Sequence, residues 1–505
     1  MRQWQIAGTA GLSSFPLDDS WIHMHFARNL AEGHGFSYNP GVPVAGSTAP
    51  LWTLMLAAIF AMLGQHVFWA KVAGITAQLA TALLARRLAW AWTGNRWLAL
   101  LAGLLTATAG PLVWGALSGM EVALAALLAT GALVCHAAGR DTAAALLLGL
   151  ATLSRPESLL LAVLVWLAGP MTPRRTGIFA GLIALCVGPW ILFNWATAGT
   201  PLPATAAAKI EGGLIGFLFG SREPVMKALV ERPWQFAVEW VRWLWSVNGL
   251  FPPLLLVGWW ALGRRRGRSA ALPAAALVLQ PMAMALLAPY RGPGFQEGRY
   301  SIHLLPLAIA VAVSGLTVFA RLPRLRAALV LLLAAGAVVA AGPAADRYGW
   351  GVQNIDAMQV RLGRWVAANT PPDARLALND VGAIAYFSRR EVVDMIGLVT
   401  PAIIRYRRDG EAGVLRYLEL TCPDYLIVFP EWFPQISAMR DRFTPIYRVR
   451  LDHNTVAGAD EMVVYETPWR RSAAARGASA CAPGVPGGPG TSPAGNRRIP
   501  RDPQV

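Results

Sequence analysis

Long apolar runs separated by short polar or basic segments dominate the first two-thirds of the chain. A helix needs about 20 mostly apolar residues to cross a bilayer. Runs of this length, or close to it, predict transmembrane helices at about 70–90, 97–113, 121–138, 142–154, 158–170, 176–196, 249–263, 270–288, 301–319 and 326–343. The predicted fold class is therefore a polytopic α-helical membrane protein, with about 10–11 transmembrane helices in a module over residues 1–343.

A polar stretch near the start, "PLDDSWIHMHFARNLAEGHGFSYNPG", breaks this pattern. Its apolar residues Ile22, Phe26 and Leu30 recur every four positions, which predicts an amphipathic helix on a surface. The apolar run at 50–64 that follows is about 15 residues long, short for a full span. We predict that it is a re-entrant or interfacial helix, so that residues of about 16–66 form an outer loop.

The pattern of apolar and polar residues changes after about residue 344. Short β-rich runs such as "RLALNDVGAIAYF", "REVVDMIGLV", "PDYLIVFP" and "EMVVYE" are bounded by Pro, Gly and Asp, and "AMQVRLGRWVAANT" has helical periodicity. We predict a small external α/β domain over 344–470. Ala, Gly, Pro and Ser without periodicity predict a disordered tail over 471–505.

Composition supports a membrane location and argues against a nucleic-acid partner. The 505-residue chain is 55% hydrophobic and only 14% charged, against roughly 25% charged in soluble domains. Its net charge of +16 comes largely from arginine clusters between apolar runs. This distribution is the positive-inside pattern of membrane proteins, and no nucleic-acid partner is expected. The clusters are Arg86-Arg87, Arg174-Arg175, Arg264–Arg268 and Arg321–Arg326, with Arg140 between two of the runs.

Two predicted spans separate each of these basic sites from the next, which places all of them on the cytoplasmic side. The outer loop, the segment 197–245 and the C-terminal domain then face the periplasm or exterior of an inner, cytoplasmic membrane. For the outer loop to lie on that side, one more span is required ahead of Asp18. The residues there are too few, and too mixed in polarity, to cross a membrane. We therefore expect a first transmembrane helix upstream of Met1.

The adjacent carboxylates Asp18 and Asp19 are the first candidates for catalysis. A carboxylate at the start of a helix on the membrane surface can act as a general base on an incoming hydroxyl. The alternative is a helix cap at Asp19, with Asp18 adding favourable charge near the helix start.

Other candidates are ionisable or hydrogen-bonding residues at the outer ends of predicted spans. Such groups are costly at membrane depth and usually face a cavity or a partner. Glu121, Arg155 and Glu157 are candidate substrate contacts, with a structural ion pair of Arg155 with either glutamate as the alternative. Lys209 and Arg299 are candidate phosphate ligands, although a solvated lysine and an interfacial anchor at Arg299-Tyr300 fit equally.

Three histidines accompany the carboxylates. His23 and His25 are two residues apart and point to different faces of a helix, which does not favour metal binding. Polar contacts at the interface or hydrogen bonds to substrate are more in keeping with their positions, and the same holds for His34.

Six segments, taken in order, resemble motifs of the GT-C membrane glycosyltransferases. Within that superfamily they are most similar to the bacterial branch with mycobacterial-type terminal arabinofuranosyltransferases. The branch carries Arg where His25 stands, and "GYTN" where this chain has "GSTAP", so the resemblance does not extend to the donor sugar. The segments are "DDSWIHMHFARNLAEGHGFSYNPG", "GSTAPLW", "SGME", "RPE", "GTPLPATAAAK" and "GRYSIHLLP".

The resemblance implies an inverting transfer of a sugar from a polyprenyl-phosphate carrier to a cell-envelope glycan or lipid acceptor, on the outer face of the membrane. It maps the acidic motif of the family to Asp18 and Asp19 as the catalytic pair. The donor phosphate or substrate would be bound by Lys209, Arg155, Arg299, Glu121, Glu157, His25, Arg28 and Tyr300.

The resemblance leaves a divalent cation open as a cofactor. No nucleotide cofactor is expected, because the chain has no Gly-rich phosphate loop. Two other functions stay as alternatives. One is a non-catalytic transporter or assembly protein for lipid-linked glycans, which would need charges inside spans or inverted-repeat symmetry. The other is a ligase for lipid-linked glycans, which would not need the Asp-Asp helix.

Overall fold

Helices form the first two-thirds of the chain in the computed structural model, which describes residues 6–8, 10–210, 212–218, 220 and 223–470. The tail predicted over 471–505 lies outside the described residues. Each of the ten segments predicted to span contains helix. These helices are Val67–Thr93, Arg96–Thr108, Gly110–Leu117, Val122–Ala137, Asp141–Ser154, Ser158–Ala168, Pro173–Ala198, Phe251–Arg266, Arg268–Ala274, Ala276–Leu287, Leu305–Gly315 and Pro323–Ile355.

Within the described residues, five helical stretches are long and apolar enough to cross a membrane, and a sixth results if one pair bent by 50° counts as a single span. Four further apolar helices have 10–17 residues. The chain is a multi-pass membrane protein. The stretches are Val67–Thr93, Pro173–Ala198, Arg268–Leu287, Ile302–Arg321 and Pro323–Asn369, with the bent pair Arg96–Thr108 and Gly110–Leu117.

Small residues let the helices of the bundle approach closely. A Cβ atom added to Gly74 would lie 2.0 Å from the Ala116 carbonyl oxygen, and one added to Gly258 would lie 2.0 Å from that of Val311. Backbones this close leave room only for glycine, as is common where membrane helices pack. The Leu305–Gly315 helix is buried along its whole length and forms the centre of this core.

Two short helices form the outer loop. Asp19–Ala31, here called the loop helix, packs along Pro50–Leu63 through a cluster that includes Trp21, Trp52 and Phe60. A helix is present where the sequence predicts one, and it begins at Asp19. The expectation of an amphipathic surface helix is wrong, because every residue from Ser20 to Asn29 is buried between neighbouring elements. The 14-residue length of Pro50–Leu63 agrees with a helix too short to cross, although its relation to the bilayer stays a prediction.

Short helices also connect the later spans. They are Ala204–Lys209, Gly213–Leu218, Arg232–Val247 and Phe295–Gly298, and Ala10–Ser13 precedes the loop helix.

The C-terminal domain contains one five-stranded sheet, with strand order β2-β1-β3-β5-β4. Strand β1 is parallel to β2 and β3, whereas β5 is antiparallel to β3 and β4. The strands are β1 (Arg375–Leu378), β2 (Glu391–Asp394), β3 (Tyr425–Val428), β4 (Thr444–Arg450) and β5 (Glu461–Glu466), and the helices are Arg361–Asn369, Ala383–Ser388, Ile404–Arg407, Gly410–Thr421 and Pro434–Ala438.

Two details of this domain differ from the sequence predictions. The run "AIAYFS" is helical rather than extended, because the first amides of that helix bind a carboxylate far away in sequence. The predicted boundary at residue 344 lies inside the continuous Pro323–Ile355 helix, so the membrane bundle passes into the domain without a linker.

The C-terminal domain packs directly on the outer loop. Ile22, Phe26 and Tyr38 belong to the same buried cluster as the strands β1 and β3. The Asn39 side chain donates to the Val392 carbonyl (2.8 Å) and accepts from the Val392 amide (2.9 Å). Asn39 therefore pairs with the backbone carbonyl and amide of Val392 in the edge strand β2, as a neighbouring strand would.

The basic end of the bundle is drawn together by arginine contacts. Arg266 donates to the carbonyl of Ala91, Arg265 donates to that of Thr317 (3.4 Å), and the His136 ring contacts the Ser269 carbonyl (3.0 Å). The C-terminal ends of four helices, all predicted to be cytoplasmic, thus meet at one end of the bundle, as the positive-inside pattern requires.

We expect a cysteine at Leu214, an exposed residue of the predicted outer segment, to react in intact cells with a membrane-impermeant maleimide. A cysteine at Ser269, at the basic end, should react only after permeabilisation. Labelling above that of the unmodified chain is the measurement. The opposite pattern at the two positions would reverse the orientation.

Candidate active site

A cavity of about 610 Å³ lies where the loop helix meets the outer ends of the bundle helices. Most of the predicted site residues line it, although they come from five separate segments of the chain. They are Asp19, Glu121, Arg155, Glu157, Lys209, Arg299 and Tyr300.

Asp19 lies at the centre of the charged wall. Its Oδ2 atom accepts a hydrogen bond from Arg299 Nη2 (2.6 Å) and lies 3.5 Å from Lys209 Nζ. Arg299 also donates to the side chain of Gln296 (2.8 Å). The backbone of Gln296 has a φ of 48°, a left-handed conformation that is uncommon outside glycine and that clusters at functional sites.

The two cations determine the protonation state of Asp19. Burial alone would raise the pKa of this carboxyl, but the charges of Lys209 and Arg299 outweigh burial and hold its pKa below the ordinary value. Asp19 is therefore ionised at neutral pH.

A second ion-pair group lies beside the first. Arg155 donates to Glu121 (2.5 Å) and to Glu157 (3.2 Å), and its guanidinium carbon lies 5.1 Å from the centre of the Tyr300 ring. Burial opposes the charge on Glu121, but Arg155 and His23 lower the pKa of this carboxyl to about 2. Both ion pairs considered from the sequence are thus present.

His23 joins the two groups, and the sequence analysis did not select it. It lines the cavity, and its Nε2 atom lies 3.2 Å from Glu121 Oε2. His23 follows Asp19 by four residues and therefore shares its helix face. That spacing was the signal that could have identified it.

Asp18 points away from the cavity lining. Its carboxylate accepts the backbone amides of Gly382 (2.6 Å) and Ala383 (2.7 Å) in the C-terminal domain. A Cβ atom at Gly382 would lie 2.0 Å from the Asp18 carbonyl oxygen, so only glycine fits there. Burial and the neighbouring Asp380 raise the pKa of Asp18.

Asp18 occupies the N-cap position of the loop helix but makes no capping bond within that helix. Asp19 is already helical, so the alternative of Asp19 as the helix cap is wrong. The physical reason is that each carboxylate has stronger partners on a distant segment.

His25 and Arg28 also lie outside the cavity lining. The ring of His25 donates from Nε2 to the Tyr38 carbonyl (2.8 Å), and its Nδ1 accepts from Arg28 (3.2 Å). Arg28 donates in addition to the carbonyl of Tyr386 (2.6 Å). Arg28 therefore connects the loop helix to the C-terminal domain, whereas His25 connects it to Tyr38 in the outer loop.

One side of the cavity is apolar and reaches the protein surface. Leu159, Val163 and Leu287 line the cavity and are each more than 40% exposed. These side chains form a continuous part of the lining with the charged residues around Asp19.

The surroundings of Asp19 do not suit a divalent cation, because two cationic side chains already contact its Oδ2 atom. Across the described residues, no group of three or more His, Cys, Asp or Glu side chains is arranged to bind a metal ion.

A family model described as "Domain of unknown function (DUF8728)" matches residues 353–473. A search of curated proteins finds no match.

The whole chain is similar to solved membrane transferases. ArnT from Cupriavidus metallidurans, bound to undecaprenyl phosphate, has a TM-score of 0.56 at 13% identity, over 92% of this chain and 96% of that one. Oligosaccharyltransferase AglB from Archaeoglobus fulgidus, in complex with an inhibitory peptide and a dolichol-phosphate, has a TM-score of 0.52 at 12% identity, over 91% and 71%.

Arabinofuranosyltransferase AftD from Mycobacteria has a TM-score of 0.39 at 14% identity, over 92% of this chain and 39% of that one, which is too low to place the chain in its branch. The chain has the GT-C fold, and the predicted fold class is confirmed.

We expect His25→Gln to make the folding stability less dependent on pH under acidic conditions. Burial, with the charge of Arg28, lowers the pKa of His25 from 6.5 to about 3. Protons therefore bind the unfolded chain first, and stability present above pH 6.5 is lost as the pH falls toward 3. Gln keeps one donor and one acceptor but does not titrate.

The measurement is thermal unfolding in detergent between pH 7.5 and pH 5 for the two proteins. Their stabilities should diverge by up to about 1.4 kcal/mol per pH unit below pH 6. The groups common to both proteins cancel in this difference. Parallel curves would mean that His25 is not neutral in the folded protein.

Proposed function

We propose that the chain is an inverting glycosyltransferase that moves a sugar from a polyprenyl-phosphate carrier to a cell-envelope glycan or lipid acceptor. One observation carries the proposal: an ionised carboxylate held between two cations in a cavity with an apolar side that reaches the protein surface. The GT-C fold supports it, since ArnT and AglB have structures with undecaprenyl phosphate and dolichol-phosphate, respectively.

The donor would enter from the apolar side, with its lipid tail along Leu159, Val163 and Leu287. Its phosphate would then meet Lys209 and Arg299. Arg155 is less available, because Glu121 and Glu157 already neutralise it. We therefore assign the leaving phosphate to Lys209 and Arg299, and a supporting role to Arg155 and Tyr300.

Asp19 would act on the acceptor. Its carboxylate accepts the hydrogen bond of an acceptor hydroxyl, whose oxygen attacks C1 of the sugar from the side opposite the phosphate. As the C1–O bond breaks, charge grows on the phosphate and draws Lys209 and Arg299 toward it. Losing its cations makes Asp19 a stronger base at the moment when the proton must leave the hydroxyl.

The C-terminal domain would shape the acceptor side without supplying the base. Leu398 lines the cavity at the end of a turn. The buried Asp394 carboxylate stabilises this turn by accepting hydrogen bonds from the amides of Ile396 (2.7 Å) and Val399 (2.9 Å).

We place this domain and the cavity on the periplasmic or outer side of the inner membrane. Both a hexose and a pentose stay candidate sugars, because the resemblance to terminal arabinofuranosyltransferases does not extend to the donor sugar.

Asp19→Asn should abolish transfer while leaving the protein folded. Asn keeps the size and can still accept from Arg299, but it cannot take a proton, and losing a general base costs about 10²–10⁴ in rate. The measurement is transfer of radiolabelled sugar from undecaprenyl-phosphate hexoses and decaprenyl-phosphate arabinose to a membrane extract, beside thermal unfolding.

Asp18→Asn is the matched comparison one residue earlier. Its amide nitrogen cannot accept, so the backbone amide of Gly382 or Ala383 loses its partner, at a cost of about 1–3 kcal/mol. We expect lower stability and a smaller loss of rate. Loss of transfer in Asp18→Asn, with full activity in Asp19→Asn, would exchange the two roles. Binding of donor without transfer by the unmodified chain would favour the transporter alternative.

Leu398→Trp should weaken acceptor use but not donor binding. Overfilling a packed wall costs about 1–3 kcal/mol, which corresponds to about a tenfold rise in KM for the acceptor. Leu420→Trp, on the exposed surface of the same domain, is the control. If Leu398→Trp kept its thermal stability and its KM for the acceptor were unchanged, the C-terminal domain would have no role in acceptor selection.

A further inference from the structure

His23 and Glu121 form a buried pair beside the candidate base. The His23 and Glu121 side chains are 7% and 4% exposed, and 3.2 Å separates His23 Nε2 from Glu121 Oε2. Nε2 is thus the ring nitrogen that faces the Glu121 carboxylate, and Nδ1 is the nitrogen on the other side of the ring. Nδ1 lies 3.4 Å from Thr53 Oγ1, which in turn lies 3.3 Å from Ser47 Oγ at the cavity.

The contacts of Asp19 explain why a second proton acceptor is needed. Once the lipid phosphate has left, Lys209 and Arg299 return to the Asp19 carboxylate and favour its ionised form. A proton taken from the acceptor must then leave Asp19. His23, one helical turn away on the same face, is the neighbouring group that can hold it.

We propose that His23, oriented by Glu121, receives the acceptor proton from Asp19 in each turnover. The inference rests on the proposed function. In the step, the acceptor oxygen bonds to C1, the C1–O bond to phosphate breaks with its electron pair on the phosphate, and the hydroxyl proton passes through Asp19 to the imidazole. The imidazolium pairs with Glu121 until it releases the proton to water.

Several charged groups surround His23. Glu121 is the carboxylate in contact with it, and Asp19, Arg155 and Arg299 line the same cavity. A neutral ring is needed to accept the proton. Protons that compete for the ring at acidic pH should therefore slow the transfer.

The test compares pH–rate profiles of purified full-length variants, with the undecaprenyl- and decaprenyl-phosphate sugars as donors. His23→Gln keeps a donor for Glu121 and an acceptor for Thr53. It should lower kcat about 10²-fold at neutral pH. It should also remove the loss of rate at acidic pH, here called the acidic limb of the pH–rate profile. His34→Gln, an exposed histidine at the end of the same helix, should match the unmodified protein.

Glu121→Gln supplies a second readout if His23→Gln unfolds early. Removing the carboxylate destabilises the imidazolium, so the acidic limb should move to lower pH, which a purely structural role of His23 would not produce. An unchanged limb in both variants, with Asp19→Asn still inactive, would overturn the role of His23 and leave the proposed function intact. Absence of transfer by the unmodified protein would overturn both.

Discussion

Asp19 stays ionised at the edge of the membrane because two cations from distant parts of the chain hold it there. Lys209 lies 190 residues away and Arg299 lies 280 residues away. A buried charge without such partners would cost several kcal/mol or be neutralised. The pairing therefore joins three segments of the chain on one side of the cavity, where a carboxylate lies between two cations.

The neighbouring carboxylate, Asp18, has a different set of contacts. Asp18 faces the opposite side of the helix start and satisfies the amides of Gly382 and Ala383, while Asn39 satisfies the edge of β2. These bonds fix the C-terminal domain on the loop helix, and the domain in turn places Leu398 at the cavity. Two adjacent residues of the same type therefore have different partners: Asp19 contacts two cations at the cavity, and Asp18 contacts the C-terminal domain.

Much of this organisation could be predicted. The apolar runs, the loop helix and the sheet domain follow from patterns that the observed helices and strands reproduce, whereas the GT-C fold was implied by the resemblance of six short motifs. Lys209, Arg155 and Arg299 were selected because isolated charges near the ends of apolar runs are uncommon, and all three line the cavity. The helix over Ala383–Ser388 was missed, since its start is satisfied by Asp18 and not by a local cap. The strand Thr444–Arg450 was missed as well, as it lies at the sheet edge with an irregular pattern.

The sequence by itself determined the order and the approximate positions of the apolar helices, because length and periodicity are local properties of a chain in a membrane. Only the tertiary structure decided which of Asp18 and Asp19, and which of His23 and His25, faces the cavity. Consecutive residues of a helix point about 100° apart. The face that turns inward is then chosen by partners such as Glu121, Arg299 and Gly382, whose positions depend on how the whole chain packs.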